Sequence, residues 1–451
     1  MQITFMPLGG GDEIGASAYY LEVDGERFLL DCGVRLNAPL YYPDFSPLYR
    51  LPLDGLWELS GVFITHAHFD HVGGLPRLYP EAQKVPVYAT KETAKLARLQ
   101  LESMARRDQS REPGPKPEHT DSDFGLCIYP ARQLKQSLEM IQPVEQGSTL
   151  EFSNCRVTFF PAGHVLGASM LYVETEQKNI LYTGDFTDFD QQTVPGFRLP
   201  VDLEVDVLVV ESTYGYREAC HAGTAYPAAG GRKALEQAFA LAVAETVWQY
   251  GVALIPAFAL GRSQEVARLL ASSMDEGLIP FFPVYLDGLA AAVSRAYEKC
   301  GVFVFDERVQ KAPPRLLSSI QDLPGIAVVA SSGMLLPGSC SAKYWDRILS
   351  GGKNALFFSG YLHGSSPATR LLNGNRGQKP GFQAAVERYH LSAHAQVQGL
   401  MNLIRALDPQ SVVFVHGFPK QGSGMNIMEQ AYHEMPDRNY FQACNGMPFY
   451  L

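Results

Sequence analysis

No stretch of this chain approaches the roughly 18–20 consecutive apolar residues that a membrane-spanning helix needs, so a spanning protein is not expected. The chain starts Met1-Gln2-Ile3-Thr4-Phe5, which reads as a strand. It lacks a basic segment followed by a hydrophobic one, so no secretory leader is expected. Cysteine is sparse: seven residues, at 32, 127, 155, 220, 300, 340 and 444, none in a C-x-x-C pair. An odd, scattered set argues against a disulfide framework or a thiolate zinc site and fits a reducing cytoplasm. Positive charge is also short, with a formal net charge of −10. A protein that grips nucleic acid by surface charge alone is usually basic, which argues against a bulk nucleic-acid binder. A nuclease stays open, because metal ions and a local cleft can supply the missing charge. No internal repeat or low-complexity block is visible.

What is present is ordinary globular material. Hydrophobic residues make up 46% of 451, enough for a sizeable core and for two or three domains. The first part alternates strand-like runs with turns. Ala18–Val23, Asp24-Gly25 and Arg27–Asp31 read as a hairpin, and Gly61–Thr65 as a short buried strand. Asn154–Pro161, Met170–Val173, Asn179–Thr183 and Val207–Val210 read as further strands, with a helix over Lys91–Arg106. Residues 108–124 are polar and proline-rich and read as an exposed excursion, and the stretch from Tyr214 to Gly231 as a loop. Beyond it a helix is expected over Arg232–Gln249. Strands Val252–Pro256, Pro283–Leu286, Val302–Phe305 and Ile326–Ala330 then alternate with helices. That βα rhythm indicates a second, doubly wound unit. Helix Val397–Leu407 and strand Ser411–Val415 follow.

The chemistry is concentrated in His66-Ala67-His68-Phe69-Asp70-His71, directly after a buried strand. In an extended loop residues two apart can point the same way, so His66 and His68 can share one metal, while Asp70 and His71 address a second. Imidazole nitrogen and carboxylate oxygen are what zinc takes. Gly73 and Gly74 follow and let the backbone turn tightly. His164, Asp185 and His416 are weaker signals singly, but each follows an apolar strand, where open α/β sheets place ligand groups. Asp31 has the same placement and is expected to orient a ligand by hydrogen bonding rather than to bind metal. Gly9-Gly10-Gly11 lacks the Lys-Ser/Thr of a phosphate loop and reads as a turn between strands. His119, His221 and His433 lie in polar contexts and read as exposed.

H-A-H-F-D-H, the later Gly163-His164 and Thr183-Gly184-Asp185 resemble the metallo-β-lactamase superfamily. Val210-Glu211-Ser212-Thr213-Tyr214-Gly215, Leu391-Ser392-Ala393-His394-Ala395 and Val415-His416-Gly417 resemble the three extra motifs of its β-CASP branch of RNA- and DNA-processing nucleases. Pro256–Glu265, Ala330–Leu335 and Phe358–Tyr361 add further resemblance, so the match spans nearly the whole chain. The resemblance implies an α/β fold: a metallo-β-lactamase αββα sandwich made of residues 1–210 and 376–451, with a doubly wound β-CASP domain inserted at 211–375. RNA would enter where the two meet. It implies two zinc ions: His66, His68 and His164 would hold one, Asp70, His71 and His416 the other, and Asp185 would bridge them. Family members with histidine at the third motif tend to act on RNA, and His416 is that histidine. Two departures fall where substrate is positioned. Gln396 stands where an acidic residue is usual, and Gly360–Arg370 differs from the usual G-Y-Q-x-x-G-T-x-G-R pattern, with His363 replacing a usual residue.

The reading is therefore a cytoplasmic, zinc-dependent ribonuclease that hydrolyses phosphodiesters in single-stranded RNA by a two-metal mechanism. Asp70 would orient the attacking water, and His394, oriented by Glu211, would serve the leaving oxygen. Arg262, Ser331 and Ser332 are candidates for backbone phosphates, Arg262 being equally readable as the partner of Glu265. A protein partner or homo-oligomer fits the acidic charge. The alternatives are an inactive β-CASP scaffold or nucleic-acid-binding protein, and a metallo-hydrolase of a small ester or phosphodiester. Endo- or exonucleolytic mode and the identity of the RNA are not readable from the sequence.

Overall fold

The computed structural model describes residues 3–35, 42–79, 81–109, 129–215, 231–323, 325–374, 383–418 and 426–451. Most of the excursion at 108–124, the loop up to residue 230, and with them His119 and His221, lie outside the described residues. The chain divides into two compact units: Met1–Asp190, Val194–Ala219 and His394–Leu451 form one, and Gln191–Thr193 with Cys220–Ala393 form the other.

The first unit holds two seven-stranded sheets. One runs, in spatial order, Phe449–Tyr450, Thr4–Gly9, Ala18–Val23, Glu26–Leu30, Gly61–Phe63, Val87–Thr90 and Ile141–Val144. The other runs Asn439–Gln442, Ser411–Val415, Val207–Glu211, Asn179–Tyr182, Ser169–Glu174, Arg156–Pro161 and Thr149–Glu151. The period-two geometry of a strand explains why Val207–Val210 is apolar throughout. Val207 and Val209 pack with Phe5, Tyr19, Phe28 and Phe63 of the first sheet. Leu208 and Val210 face the other way, onto Leu400, Met401 and Ile404 of the helix Val397–Leu407. Val412/Phe414 and Val413/Val415 split between the two cores in the same manner. Each face of that sheet is covered, as an αββα sandwich requires.

The second unit is a six-stranded sheet in the order Val309–Lys311, Val284–Asp287, Ile326–Ser331, Val252–Ala257, Ala355–Phe358 and Ala385–Arg388. All its pairings are parallel, joined through helices such as Gly231–Trp248 and Arg262–Asp275.

Three sequence expectations change. Val302–Phe305 is not a strand; the edge strand is Val309–Lys311. The amides of Val302 and Phe305 instead donate to the Tyr297 carbonyl and the Glu298 carboxylate, so this run closes the helix Leu289–Glu298. The inserted unit extends to Ala393 rather than 375, because Ala385–Arg388 pairs with Ala355–Phe358; Glu211 ends a strand of the first unit instead of opening the second. Gly73 and Gly74 are needed for close approach and not for a left-handed turn. A Cβ on Gly73 would lie 2.6 Å from the Phe69 oxygen, and one on Gly74 2.5 Å from that of Gly33.

The tightest approach is at Gly33, where a Cβ would lie 1.7 Å from the Asp70 carbonyl oxygen. The backbone carrying Asp70 and His71 therefore rests on the segment after Leu30. Gly33→Ala should destabilise the protein by at least about 1–3 kcal/mol, as overpacking does. Gly364→Ala, where a Cβ meets nothing within 4 Å, should stay within about 0.5 kcal/mol. Urea or thermal unfolding of the two variants against the parent checks the contrast.

Candidate metal centre

Each residue of the centre sits just past the end of a strand. Asp31 follows Glu26–Leu30; His66, His68, Asp70 and His71 follow Gly61–Phe63; His164 follows Arg156–Pro161; Asp185 follows Asn179–Tyr182; Glu211 ends its strand; His416 follows Ser411–Val415. The short helix Phe69–Val72 turns Asp70 and His71 back toward His66. Asp31, His164 and His416 have φ of 60°, 40° and 51°, a left-handed region that non-glycine residues seldom adopt. Such strain persists where surrounding contacts over-determine the backbone, and it clusters at functional sites. For His416 the contact is its amide, which donates to the Gly10 carbonyl at 2.6 Å.

The side chains fall into groups whose ligand atoms lie within 4.8 Å of one another: His66, His68, His164 and Asp185 in one, and Asp70, His71 and His416 in another. His68 Nδ1 lies 3.1 Å from His66 Nε2 and 3.0 Å from His164 Nε2. Asp185 Oδ2 lies 3.6 and 3.7 Å from those two nitrogens. Its Oδ1 lies 3.4 Å from His71 Nε2 and 3.4 Å from His416 Nδ1. Asp70 Oδ2 lies 3.5 Å from His416 Nε2. Each oxygen of one carboxylate thus faces one group.

These spacings fit a metal. Ligands about 2.0–2.1 Å from a tetrahedral zinc are about 3.3 Å apart. Asp185 Oδ1 and His416 Nε2 are buried without a hydrogen bond of good geometry, a costly state for polar atoms that a cation would relieve. Burial holds the His66 imidazole far below its usual range, and so neutral as a metal ligand must be. Burial acts the same way on His71, but the carboxylates of Asp185 and Asp31 outweigh it and push His71 up. Burial would raise the Asp185 carboxyl, yet His416 and His71 hold it well below the usual range.

Asp31 is the hub behind the ligands. It accepts from the Thr65 amide (2.8 Å), the Thr65 hydroxyl (3.0 and 2.9 Å), His71 Nδ1 (2.8 Å) and the Tyr182 hydroxyl (2.8 Å). Beside these candidate ligands, His394 Nδ1 bonds both oxygens of Glu211 at 2.9 Å, and its Nε2 lies 4.0 Å from Asp185 Oδ2. Burial would depress His394, but Glu211 and Asp185 push it up to about 9. Glu211 is itself fixed by the Phe186 amide at 3.0 Å.

The phosphate candidates lie in the second unit. Arg262 is buried at the start of its helix, with Nη2 3.5 Å from Gln191 Oε1. It lies beside Phe258, Gly333, Ser359 and Tyr361 at a shallow, closely packed depression. Glu265, the expected ion-pair partner, accepts instead from the amides of Gln192 and Thr193 at 2.8 Å, and burial pushes its carboxyl up despite the nearby Arg262 charge. Ser331 Oγ accepts from the Leu289 amide at 3.1 Å, and Ser332 Oγ from that of Met334 at 3.5 Å; neither lines the depression. His363 bonds Ser365 within its own loop, and Gln396 precedes its helix without a side-chain cap bond. His433 is exposed on the helix Ile427–Glu434.

The profile described as the metallo-beta-lactamase superfamily matches residues 11–228, and that of the Zn-dependent metallo-hydrolase RNA specificity domain matches 379–424. The chain belongs to the metallo-β-lactamase superfamily, in its β-CASP branch. Among β-CASP relatives it is similar to "Probable RNase MJ4" of Methanocaldococcus jannaschii, 28% identical over 438 residues, covering 92% of this chain and 93% of that one. It is 29% identical to cleavage and polyadenylation specificity factor 73 of Drosophila melanogaster over 459 residues, 96% of this chain and 62% of that one. It is 27% identical to integrator complex subunit 11 of Danio rerio, 98% of this chain and 73% of that one. A solved structure of a protein of unknown function from Enterococcus faecalis V583 aligns over 100% of both chains with a TM-score of 0.61 at 17% identity, which shows a shared fold. Among the described residues no helix is long and apolar enough to cross a membrane.

The supporting residues Thr65, Thr213, Tyr182 and Gly10 were not legible as part of the site, since Thr, Tyr and Gly beside strands are common. Their only signal was adjacency: Thr65 precedes His66, and Thr213 sits in the Glu211 motif.

A metal-stripped sample should gain about 2.7 kcal/mol of stability per bound ion at a zinc concentration 100 times Kd. Asp185→Asn, which weakens the carboxylate facing both groups, should lose most of that gain. Thermal unfolding with and without zinc measures it.

Proposed function

We propose that this β-CASP protein is a zinc-dependent ribonuclease, hydrolysing phosphodiesters in single-stranded RNA at a two-zinc centre. The observation that carries the reading is Asp185, one oxygen turned to each histidine group and 4.0 Å from the nitrogen of His394. The RNase names of relatives and the match to an RNA specificity domain support RNA as the substrate class. Relatives named as a specificity factor or complex subunit support a protein partner that delivers substrate. The sparse, scattered cysteines, none in a C-x-x-C pair, support a cytoplasmic setting.

His66, His68 and His164 would hold one ion and Asp70, His71 and His416 the other, with Asp185 shared. Bound ions supply Lewis acidity toward the attacking water and offset charge on the phosphoryl oxygens. The chain's own groups do the rest. Asp70 is partly open to solvent, with a side-chain exposure of 24%, and accepts a proton from the attacking water. His394, 15% exposed, is held by Glu211 through Nδ1. Its Nε2 is left to donate a proton to the departing oxygen, which would otherwise leave as a poor alkoxide. Arg262 is the stronger of the phosphate candidates, because its guanidinium offers a planar fork of donors, whereas the Ser331 and Ser332 hydroxyls are already engaged by the Leu289 and Met334 amides.

Purified protein should carry about two zinc ions, and His68→Ala or Asp185→Asn should abolish cleavage of end-labelled RNA. Cleavage that survives either substitution contradicts the reading. His394→Ala should cost about 10²–10⁴ in kcat, the usual worth of a general acid.

A proton donor works only while protonated, so on the alkaline side kcat should fall as pH rises through the His394 pKa. Bound cations pull that pKa below the value of about 9 set by the carboxylates alone. Glu211 raises it, so Glu211→Gln should move the descending limb to lower pH. A pH–rate profile whose alkaline limb is unmoved by Glu211→Gln removes His394 from this role.

A further inference from the structure

Three histidines that turn Nε2 toward the centre have Nδ1 held by a partner, and the partners differ. For His71 it is the Asp31 carboxylate at 2.8 Å. For His66 it is the Thr65 hydroxyl at 3.1 Å, and for His416 the Thr213 hydroxyl at 3.0 Å. A hydroxyl can donate or accept, so what else it touches decides the tautomer of its histidine.

Thr65 Oγ1 lies 3.0 and 2.9 Å from the two oxygens of Asp31, which as a carboxylate only accept. The single hydroxyl proton is therefore committed to Asp31. What remains for His66 is a lone pair, so His66 Nδ1 carries the proton and Nε2 keeps its own lone pair for the centre. Thr213 repeats the pattern. Its Oγ1 lies 3.3 Å from the carbonyl oxygen of His416, again an acceptor only. Asp185 Oδ1, a further acceptor, lies 3.4 Å from the same His416 Nδ1. A proton on Nδ1 satisfies all of these contacts. A proton on Nε2 would leave the Nδ1 lone pair facing a carboxylate and occupy the nitrogen turned to Asp70. His68 is the contrast: it presents Nδ1 to its neighbours.

We infer that Thr65 and Thr213 are positioning residues whose hydroxyls lock His66 and His416 in the Nδ1–H tautomer, each tuning the affinity of one half of the centre. Thr65 acts on the ion held with His68 and His164, and Thr213 on the ion held with Asp70 and His71. The inference rests on the two-metal reading above. Partners of this kind, standing behind a ligand, are generally worth about 10–100-fold in metal affinity.

The test is zinc titrated into the metal-stripped protein in competition with a chromophoric chelator, read without any RNA. The parent should take two equivalents. Thr213→Val keeps the shape and removes the hydroxyl. It should weaken one equivalent by about 10–100-fold and leave the other unchanged. Thr65→Val should weaken one equivalent by a similar factor, and the double variant should weaken both. Thr213→Ser and Thr65→Ser should restore the parent affinities, which a purely structural role for the methyl groups would not do. Long-range ¹H–¹⁵N spectra of the metal-stripped, histidine-labelled parent give a second readout that needs no variant. They should place the proton of His66 and of His416 on Nδ1, and a proton on Nε2 of either overturns the inference. Two equivalents with valine variants bound as tightly as in the parent also overturn it, while the two-metal reading stands. Fewer than two equivalents in the parent overturns that reading and this inference together.

Discussion

A buried carboxylate with one oxygen turned to each of two histidine groups is the constraint on which the site depends. Asp185 is 3% exposed and lies within 4.0 Å of nitrogens of five histidines: His66, His71, His164, His394 and His416. Without cations such a cluster sets lone pair against lone pair in a region that water hardly reaches. The surrounding fold holds the backbone that carries it in place. Strand ends from both sheets of the sandwich deliver the ligands, and Asp31 ties them together. Tyr182 reaches Asp31 from one sheet, while Thr65 and His71 reach it from the other. Left-handed backbone at Asp31, His164 and His416 is the local strain that this tying holds in place.

In the proposed mechanism the same carboxylate would link metal binding to proton transfer. Asp185 helps raise His394, and Glu211 does so more strongly through contact at Nδ1. The group that would protonate a leaving oxygen is thus tuned by a ligand of the ions that would activate water. In a low-dielectric pocket such couplings are strong, so one substitution should be felt in metal affinity and in pH dependence together.

Much of this was legible in the sequence because its residue types are rare in combination. Three histidines and an aspartate within six residues after a buried strand seldom occur together except to hold a metal, and His164, Asp185 and His416 each end an apolar run. The helix Val397–Leu407 and the strand Ser411–Val415 are where periodicity places them. Val302–Phe305 misled because a short, continuous run of β-branched and aromatic residues looks like a buried strand, and only hydrogen bonding shows the run closing a helix. The boundary near residue 375 comes from the resemblance and not from any local signal, because Ala385–Arg388, an edge strand with one pairing partner, is too short and half-charged to announce itself. Thr65 and Thr213 could not be read in advance, since what a hydroxyl does is set by the acceptors that folding brings to it.

X-ray absorption at the zinc edge of the loaded protein puts the two-metal centre to the sharpest test. Nitrogen and oxygen scatterers are expected at about 2.0–2.1 Å, with no sulfur near 2.3 Å and a second zinc about 3.5–4 Å away. A single zinc with no metal neighbour, or a shell containing sulfur, would contradict a centre built on Asp185 and the histidines around it.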